Sequence, residues 1–595
     1  MYVILKTSDI LKFCYMKDAN SIKNLKLIEN LLFYLFLLGN LVPLFYSYYV
    51  GSLDGPKHLQ IANIIKELLS GNELFAKYFE LSPIYTANLF GNYFIALLRF
   101  IFPAWLSEKI LLSFYVILLA TGFRYLIYSI TEKPNLSYFL IFPFTYTSLF
   151  LMGYYNYSIA FGFFFYTVGY YIRNYNNMNI LTVCKFMILI LLTYYSHFFV
   201  YIFLLGVLGA LTLNAILFEY KRKGVFELKA LVNRISKVIL AFSPSLILSF
   251  LYLRLILKQP VSEEGNLINR LADLSELRIL IGFVHTEELP MTRFLFLTLL
   301  ALVVFTLIVL ISKYFVKRNN NPNENTFNNE KLVWSFFVVF FFGLYFLMPN
   351  NLNASGNILP RILIFAIYFL LVWLSLTRTP FWINIFIVAA ILYYGITNYP
   401  IHVKYRQQFD KLIMEIKTIE QELPANCILL SKNYMDNWVM YHFQTYIGTD
   451  KPILNLYSQS ISPLFAINWS EARPLSFVGA KYAHDFTEVY NLPDAKGTFF
   501  SEYIAILGKS EFDNLPETNE LKTLLLRDYK VRSDIQNSLL TLYQLDIMDD
   551  IEFIMDSITK DQPYFEKLKH KALSTGLALE DVKLREAIWL YDSNK

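Results

Sequence analysis

One stretch has residue types and spacing that could do chemistry: "YYVGSLDGPKHLQIANIIKELLSGN". Gly55 and Pro56 turn the chain into a helix, and Asp54 stands just before it. Asp is favoured at a helix N-cap and Pro in the first turn, so Asp54 could simply cap the helix. A carboxylate in this position can also act as a general base, taking a proton from a hydroxyl. His58 lies four residues on and shares a face with Asp54 if the helix begins early. Leu59, Ile61, Ala62, Ile65, Leu68 and Leu69 are apolar, whereas Gln60, Asn63, Lys66 and Glu67 are polar. That pattern predicts an amphipathic helix lying at a membrane interface. Elsewhere the sequence has no phosphate-binding glycine loop, no kinase signature and no Ser-His-Asp spacing. Cys14, Cys184 and Cys427 form neither a metal spacing nor a disulfide framework.

The elements that position Asp54 follow from composition. Of 595 residues, 56% are hydrophobic and only 17% charged, with 54 Phe and 44 Tyr. Soluble domains run at about 45–50% apolar and about 25% charged, which excludes a simple soluble enzyme or a disordered chain. The small net charge of +5 argues against a nucleic-acid surface. A span needs about 20 apolar residues. The runs 28–47, 110–130, 136–151, 157–172, 179–195, 198–218, 236–257, 293–316, 332–348, 362–377 and 381–398 predict eleven crossings, and 84–102 is an ambiguous twelfth. Lys6, Lys12, Lys17, Lys23 and Lys26 precede the first run, with no signal cleavage site after it, so the N-terminal segment 1–27 is expected in the cytoplasm. If 84–102 does not cross, Lys221, Arg222, Lys223, Lys229, Arg234, Lys317 and Arg318 all fall on the cytoplasmic side. A crossing would move these clusters outside, so 84–102 is expected to be a half-inserted or in-plane helix, broken by Pro83 and ended near Pro103. Arg124 and Arg254 lie near span ends and can snorkel, and no chain of buried carboxylates suggests a proton-coupled transporter.

With eleven crossings, 401–595 lies outside, together with a first outer loop at 48–109 and an acidic loop at 258–292. The membrane domain is then 28–400, followed by a globular domain at 401–545 and a helical tail at 546–595. Residues 403–422 predict a mixed-charge helix leaving the membrane after Pro400. "NCILLSKN", "ILNL" and "EYIAILG" predict short strands, and "LKTLLLRDYKVRSDIQNSLLTLYQL" a helix and then a hairpin. "DNWVMYHFQTYIG" predicts a helix capped by Asp436, with His442 as a surface or packing residue. Helices at 562–575 and 579–592 flank Gly576.

This order of parts resembles the GT-C fold glycosyltransferases: an inward N-terminus, a long first outer loop opening on Asp, many spans and an exoplasmic α/β domain. "SLDGPKHL" with "ELSPIYTANLFGNYFIALLRFIF", and the later "SEYIAILG" with "LLRDYKVRSDIQNSLLTLYQL", carry the local likeness. Relatives include protein O-mannosyltransferases, aminoarabinose transferases and oligosaccharyltransferases. The resemblance implies a bacterial inner-membrane enzyme taking a sugar from a polyprenyl-phosphate donor to a glycolipid, polysaccharide or protein acceptor, with no nucleic-acid partner. It implies that Asp54 deprotonates the acceptor and that Arg361, in "MPNNLNASGNILPRILIF", meets the leaving phosphate. His58, His197 in "YYSHFFVY" and Asn156 in "MGYYNYS" would touch substrate. Arg361 could equally be a snorkelling residue, and His197 an interface residue bonded to a tyrosine. The oligosaccharyltransferase branch binds a divalent cation. Asn156 stands in a loop where many relatives carry a second carboxylate, which weakens a metal site here and leaves open a loss of activity. A non-catalytic scaffold, or a polysaccharide polymerase, ligase or flippase using Arg270 and Arg278, stands as the alternative.

Overall fold

The computed structural model describes residues 19–131, 136–224, 228–256, 267–320, 329–350, 356–377, 379–456, 465–470, 502–575 and 579–593, apart from positions 518, 536, 538 and 547. The chain divides into two compact units. One comprises 1–47, 87–91 and 109–407, and the other 48–86, 92–108 and 408–595.

The first unit is helical. Among the described residues, seven helices of the chain are long and apolar enough to cross a membrane: Lys26–Phe45, Ala104–Thr131, Phe198–Lys221, Leu231–Arg254, His285–Ser312, Ile358–Ser375 and Trp382–Glu422. Four of the eleven expected runs fall short of that measure. Leu136–Leu151, Ile180–Ser196 and Leu332–Leu347 are apolar but short, and Tyr155–Asn174 is rich in tyrosine. The ambiguous run 84–102 yields a helix only at Phe90–Leu98. Nine residues rise about 13 Å, under half the hydrocarbon thickness.

Composition did not foretell that Leu136–Thr145 coils as a 3-10 helix around Pro143, with all but its first residue buried. Its tighter winding leaves carbonyls that no water would reach in a bilayer. Tyr115 Oη donates to the Thr145 carbonyl at 2.9 Å, and Tyr368 Oη to that of Phe144 at 3.2 Å. The Phe-rich composition becomes stacked rings: Phe341 lies 5.0 Å from both Phe365 and Phe369, nearly parallel to each. A Cβ on Gly122 would come within 2.8 Å of the Gly162 carbonyl, so Ala104–Thr131 and Tyr155–Asn174 approach backbone to backbone. Arg124 does not simply snorkel: it donates to Glu29 Oε2 at 2.9 Å and lies over the Phe33 ring.

Phe381–Glu422 runs unbroken for 42 residues, through Pro400. The proline removes one backbone donor without ending the helix. At about 1.5 Å per residue the helix is roughly twice as long as a bilayer core is thick.

The second unit is α/β. Its five-stranded mixed sheet has the order β3-β2-β5-β7-β6. The strands are β2 (Ile428–Asn433), β3 (Leu454–Asn455), β5 (Tyr503–Leu507), β6 (Tyr529–Val531) and β7 (Leu540–Leu545). β3 and β5 flank β2 in parallel, while β7 pairs antiparallel with both β5 and β6. The expected hairpin is therefore β6–β7, and β5 is buried on both faces. A separate pair joins β1 (Phe79–Leu81) to β4 (Ile467–Trp469). The expected helix over 436–448 is two 3-10 turns, Trp438–Met440 and Phe443–Tyr446, and the capping side chain is Asn437 rather than Asp436. Three helices, Met548–Lys560, Gln562–Thr575 and Leu579–Ser593, close the chain.

The helix Gly55–Leu69 does not lie on an interface with its polar side in water. Gln60, Asn63 and Glu67 are as buried as Ile61 and Ile65. Gln60 Nε2 donates to the Asn455 carbonyl at 2.9 Å, and Asn63 Nδ2 to that of Gly448 at 2.8 Å. The polar face docks on the α/β unit because its amides meet carbonyls there.

Candidate functional site

Asp54 occupies the N-cap position of Gly55–Leu69, yet its side chain caps nothing. Ser52 Oγ instead accepts the Gly55 N–H at 3.1 Å. The Asp54 carboxylate turns to Lys57, whose Nζ lies 3.2 Å from Oδ1, and to His442, whose Nε2 lies 3.6 Å from the same oxygen. Among the described residues no group donates a hydrogen bond to Oδ2. The Asp54 side chain is 23% exposed, against 13% for Lys57 and 5% for His442. Burial pushes the His442 imidazole down to about 2, with the Lys57 charge adding to it. The ring is therefore neutral, and 3.6 Å is a contact rather than an ion pair or a hydrogen bond. Burial also lowers Lys57, partly offset by Asp54.

His58 does not join this group. Its Nδ1 lies 3.3 Å from Asn92 Oδ1. The helix begins at Gly55, so Asp54 stands just outside the regular spacing and its side chain swings to Lys57 instead. The Lys57 partnership was available as an i, i+3 charge pair. His442 is 388 positions away, in the 3-10 turns that the sequence pattern read as a helix, and no local signal ties it to Asp54.

The remaining candidates sit in the helical unit. Asn156 has its amide committed: Oδ1 accepts the Gly91 N–H and Nδ2 donates to the Asn88 carbonyl, both at 2.6 Å. A Cβ on Gly91 would collide with that oxygen, so glycine is required there. Asn88, in the left-handed region at φ 63°, accepts the Phe198 N–H at 2.9 Å on its Oδ1. Asn156 thus positions the segment 87–91, which in turn holds the turn carrying His197.

His197 meets Tyr157 edge to face at 5.2 Å, and its Nδ1 is buried with no hydrogen-bond partner. The Arg361 guanidinium lies 5.1 Å from the Tyr154 ring centre and 5.9 Å from that of Tyr157. Tyr157 Oη donates to the Arg361 carbonyl at 2.7 Å, and Asn357 Nδ2 to Tyr154 Oη at 3.0 Å. No carboxylate among the described residues pairs with Arg361, and its Nε is buried without a partner. A caged cation with a spare donor is suited to an anion.

Arg270 is instead structural, buried and donating to the Tyr345 and Phe346 carbonyls. Arg278 is exposed, 3.5 Å from Asp273. Among the described residues no group of three or more His, Cys, Asp or Glu side chains could hold a metal ion. The surroundings of Asp54 do not fit a divalent cation, because an ammonium already lies against the carboxylate and no second carboxylate joins it among the described residues.

The class defined so far is a chain with many membrane-length apolar helices and a C-terminal α/β region. No protein-family model matches the chain, and no curated protein matches it.

Proposed function

We propose that the protein is a membrane glycosyltransferase that moves a sugar from a polyprenyl-phosphate carrier to a hydroxyl of a glycolipid, polysaccharide or protein, at the outer face of a bacterial cytoplasmic membrane. The observation that carries this reading is the Asp54 carboxylate. Ser52 does the capping, so Asp54 is released from its simplest structural duty, and among the described residues no group donates a hydrogen bond to its Oδ2. In the reaction, Asp54 takes the acceptor O–H proton. The acceptor oxygen forms the new bond to the anomeric carbon, and the bond from that carbon to the phosphate oxygen breaks with its electron pair on the phosphate. Lys57 and His442 fix the carboxylate's direction. Arg361 is the candidate to stabilise a phosphate anion, and its lack of a carboxylate partner favours that role. His197 supplies an unused ring nitrogen in the same unit.

The test is turnover of polyprenyl-phosphate sugars by the full chain in membrane vesicles. The reading predicts consumption of at least one such donor, slowed by about 10²–10⁴-fold in Asp54→Asn and weakened in donor affinity by Arg361→Ala. Unaltered turnover in Asp54→Asn would sink the base assignment. A reporter fused in the 423–427 turn should be read outside the membrane, and a cytoplasmic signal would overturn the orientation.

A further inference from the structure

The helical unit contains a cavity of about 520 Å³, a size typical of ligand pockets, between Ala19–Leu41, the 3-10 segment Leu136–Thr145 and Phe381–Glu422. Its walls are mostly apolar, with Asn40, Tyr146, Tyr394, Asn398, Tyr399 and His402 as the polar exceptions. At its mouth Leu35, Leu392 and Ile396 are 62%, 45% and 71% exposed, as lipid-facing residues would be. Two glycines on two different helices, Gly39 and Gly395, line it, and a Cβ on either would meet no atom within 4 Å. Glycine is unfavourable inside a helix, and neither residue permits a close backbone contact, so what the two provide is open space.

Two wall groups are buried with no hydrogen-bond partner, Asn398 Oδ1 and Tyr399 Oη. Asn398 is only 6% exposed. Its Nδ2 faces Tyr394 Oη at 3.3 Å and His402 Nε2 at 3.0 Å, which leaves its oxygen as the remaining acceptor. That Oδ1 is buried with no hydrogen-bond partner. A buried acceptor left unmade is costly, so it calls for a donor. No Lys, Arg, Asp or Glu is among the described residues lining the cavity, so the donor is an uncharged group.

We propose that this groove holds the hydrocarbon chain of an uncharged, hydroxyl-bearing membrane lipid whose O–H is donated to Asn398 Oδ1. The inference rests on these helices lying in a bilayer and is independent of sugar transfer. It is tested with the full chain in phosphatidylcholine nanodiscs, photolabelled by a long-chain alcohol carrying a diazirine. Three companion probes are the matching fatty acid, the matching plain alkane and unlabelled alcohol as competitor. The alcohol should label 35–43 and 391–402, and excess unlabelled alcohol should remove that label. Gly395→Leu, and separately Gly39→Leu on the opposite wall, should lose most of it, whereas Gly206→Leu, also facing open space but outside the groove, should keep it. Asn398→Leu should weaken the alcohol by about threefold to tenfold, one hydrogen bond's contribution, and leave the alkane unchanged. Labelling that survives both glycine substitutions would overturn the site. Equal labelling by the fatty acid, or an alcohol indifferent to Asn398→Leu, would overturn the assignment of its head group.

Discussion

Asp54 and Asp450 lie in the same compact unit, each beside a lysine, and the Asp450 side chain is the more exposed of the two, at 31% against 23%. Their partners separate them. Asp450 Oδ1 accepts the Ala104 N–H at 2.7 Å and meets Arg99 at 3.1 Å, while Oδ2 meets Lys417 at 2.9 Å and Tyr49 Oη at 3.0 Å. Burial works against its charge, but Lys417 and Arg99 hold the carboxyl below the usual aspartate range. Next to it, Glu420 pairs with Lys417 and accepts the Gly448, Asp450 and Lys451 N–H groups. Among the described residues Asp54 has one cation, one neutral ring and no hydrogen bond to Oδ2. A saturated carboxylate is spent on holding its turn in place, whereas an unsaturated one keeps capacity for a proton or a substrate.

The largest effect expected is from Asp54→Asn. Turnover should fall by about 10²–10⁴-fold, the usual weight of a general base, with a smaller drop in melting temperature than Asp450→Ala gives, because only Lys57 loses its ion-pair partner. Asp450→Ala should do the opposite. It strands Arg99 and Lys417, and should cost about 2–3 kcal/mol by denaturant titration, less than a fully buried pair because part of the side chain is in water. Its pH dependence has a definite sign. The folded carboxyl titrates below the unfolded one, so its contribution is complete above about pH 4 and is lost as pH falls through the folded value. Asn156→Ala places a site candidate in the saturated class. It should cost about 1–3 kcal/mol by leaving the Gly91 N–H and Asn88 carbonyl unpaired, while turnover per folded molecule persists. The smallest effect concerns His442. It stays neutral when folded but takes a proton near pH 6.5 when unfolded, so the native state loses stability as pH drops below that value. Between pH 7.5 and 6 the loss is ~0.8 kcal/mol, and His442→Gln should remove it from the melting profile.

Local patterns carried far in this chain. Apolar runs marked the membrane-length helices, and the strands at 428–433 and 503–507 stood out as short buried runs. The length of Phe90–Leu98 agrees with a segment that does not cross. What stayed hidden depended on distant partners. Gln60 and Asn63 read as a wet face because nothing local announces the carbonyls of Asn455 and Gly448. Pro143 and Pro400 had different outcomes, a 3-10 segment and an unbroken helix, because packing and tyrosine donors decide what a proline does in context. Asp54 was legible as a candidate, and so was its choice between capping and chemistry. That Ser52 takes the cap and His442 approaches the carboxylate is information held in the fold.

The most direct test of the contrast is to measure lipid-linked sugar turnover and melting temperature on the same preparations of Asp54→Asn and Asp450→Asn. The account predicts that Asp54→Asn loses turnover with at most a small drop in melting temperature, while Asp450→Asn melts much lower and keeps turnover per folded molecule. Turnover that follows melting temperature in both variants would contradict it, since Asp54 would then be one more structural carboxylate.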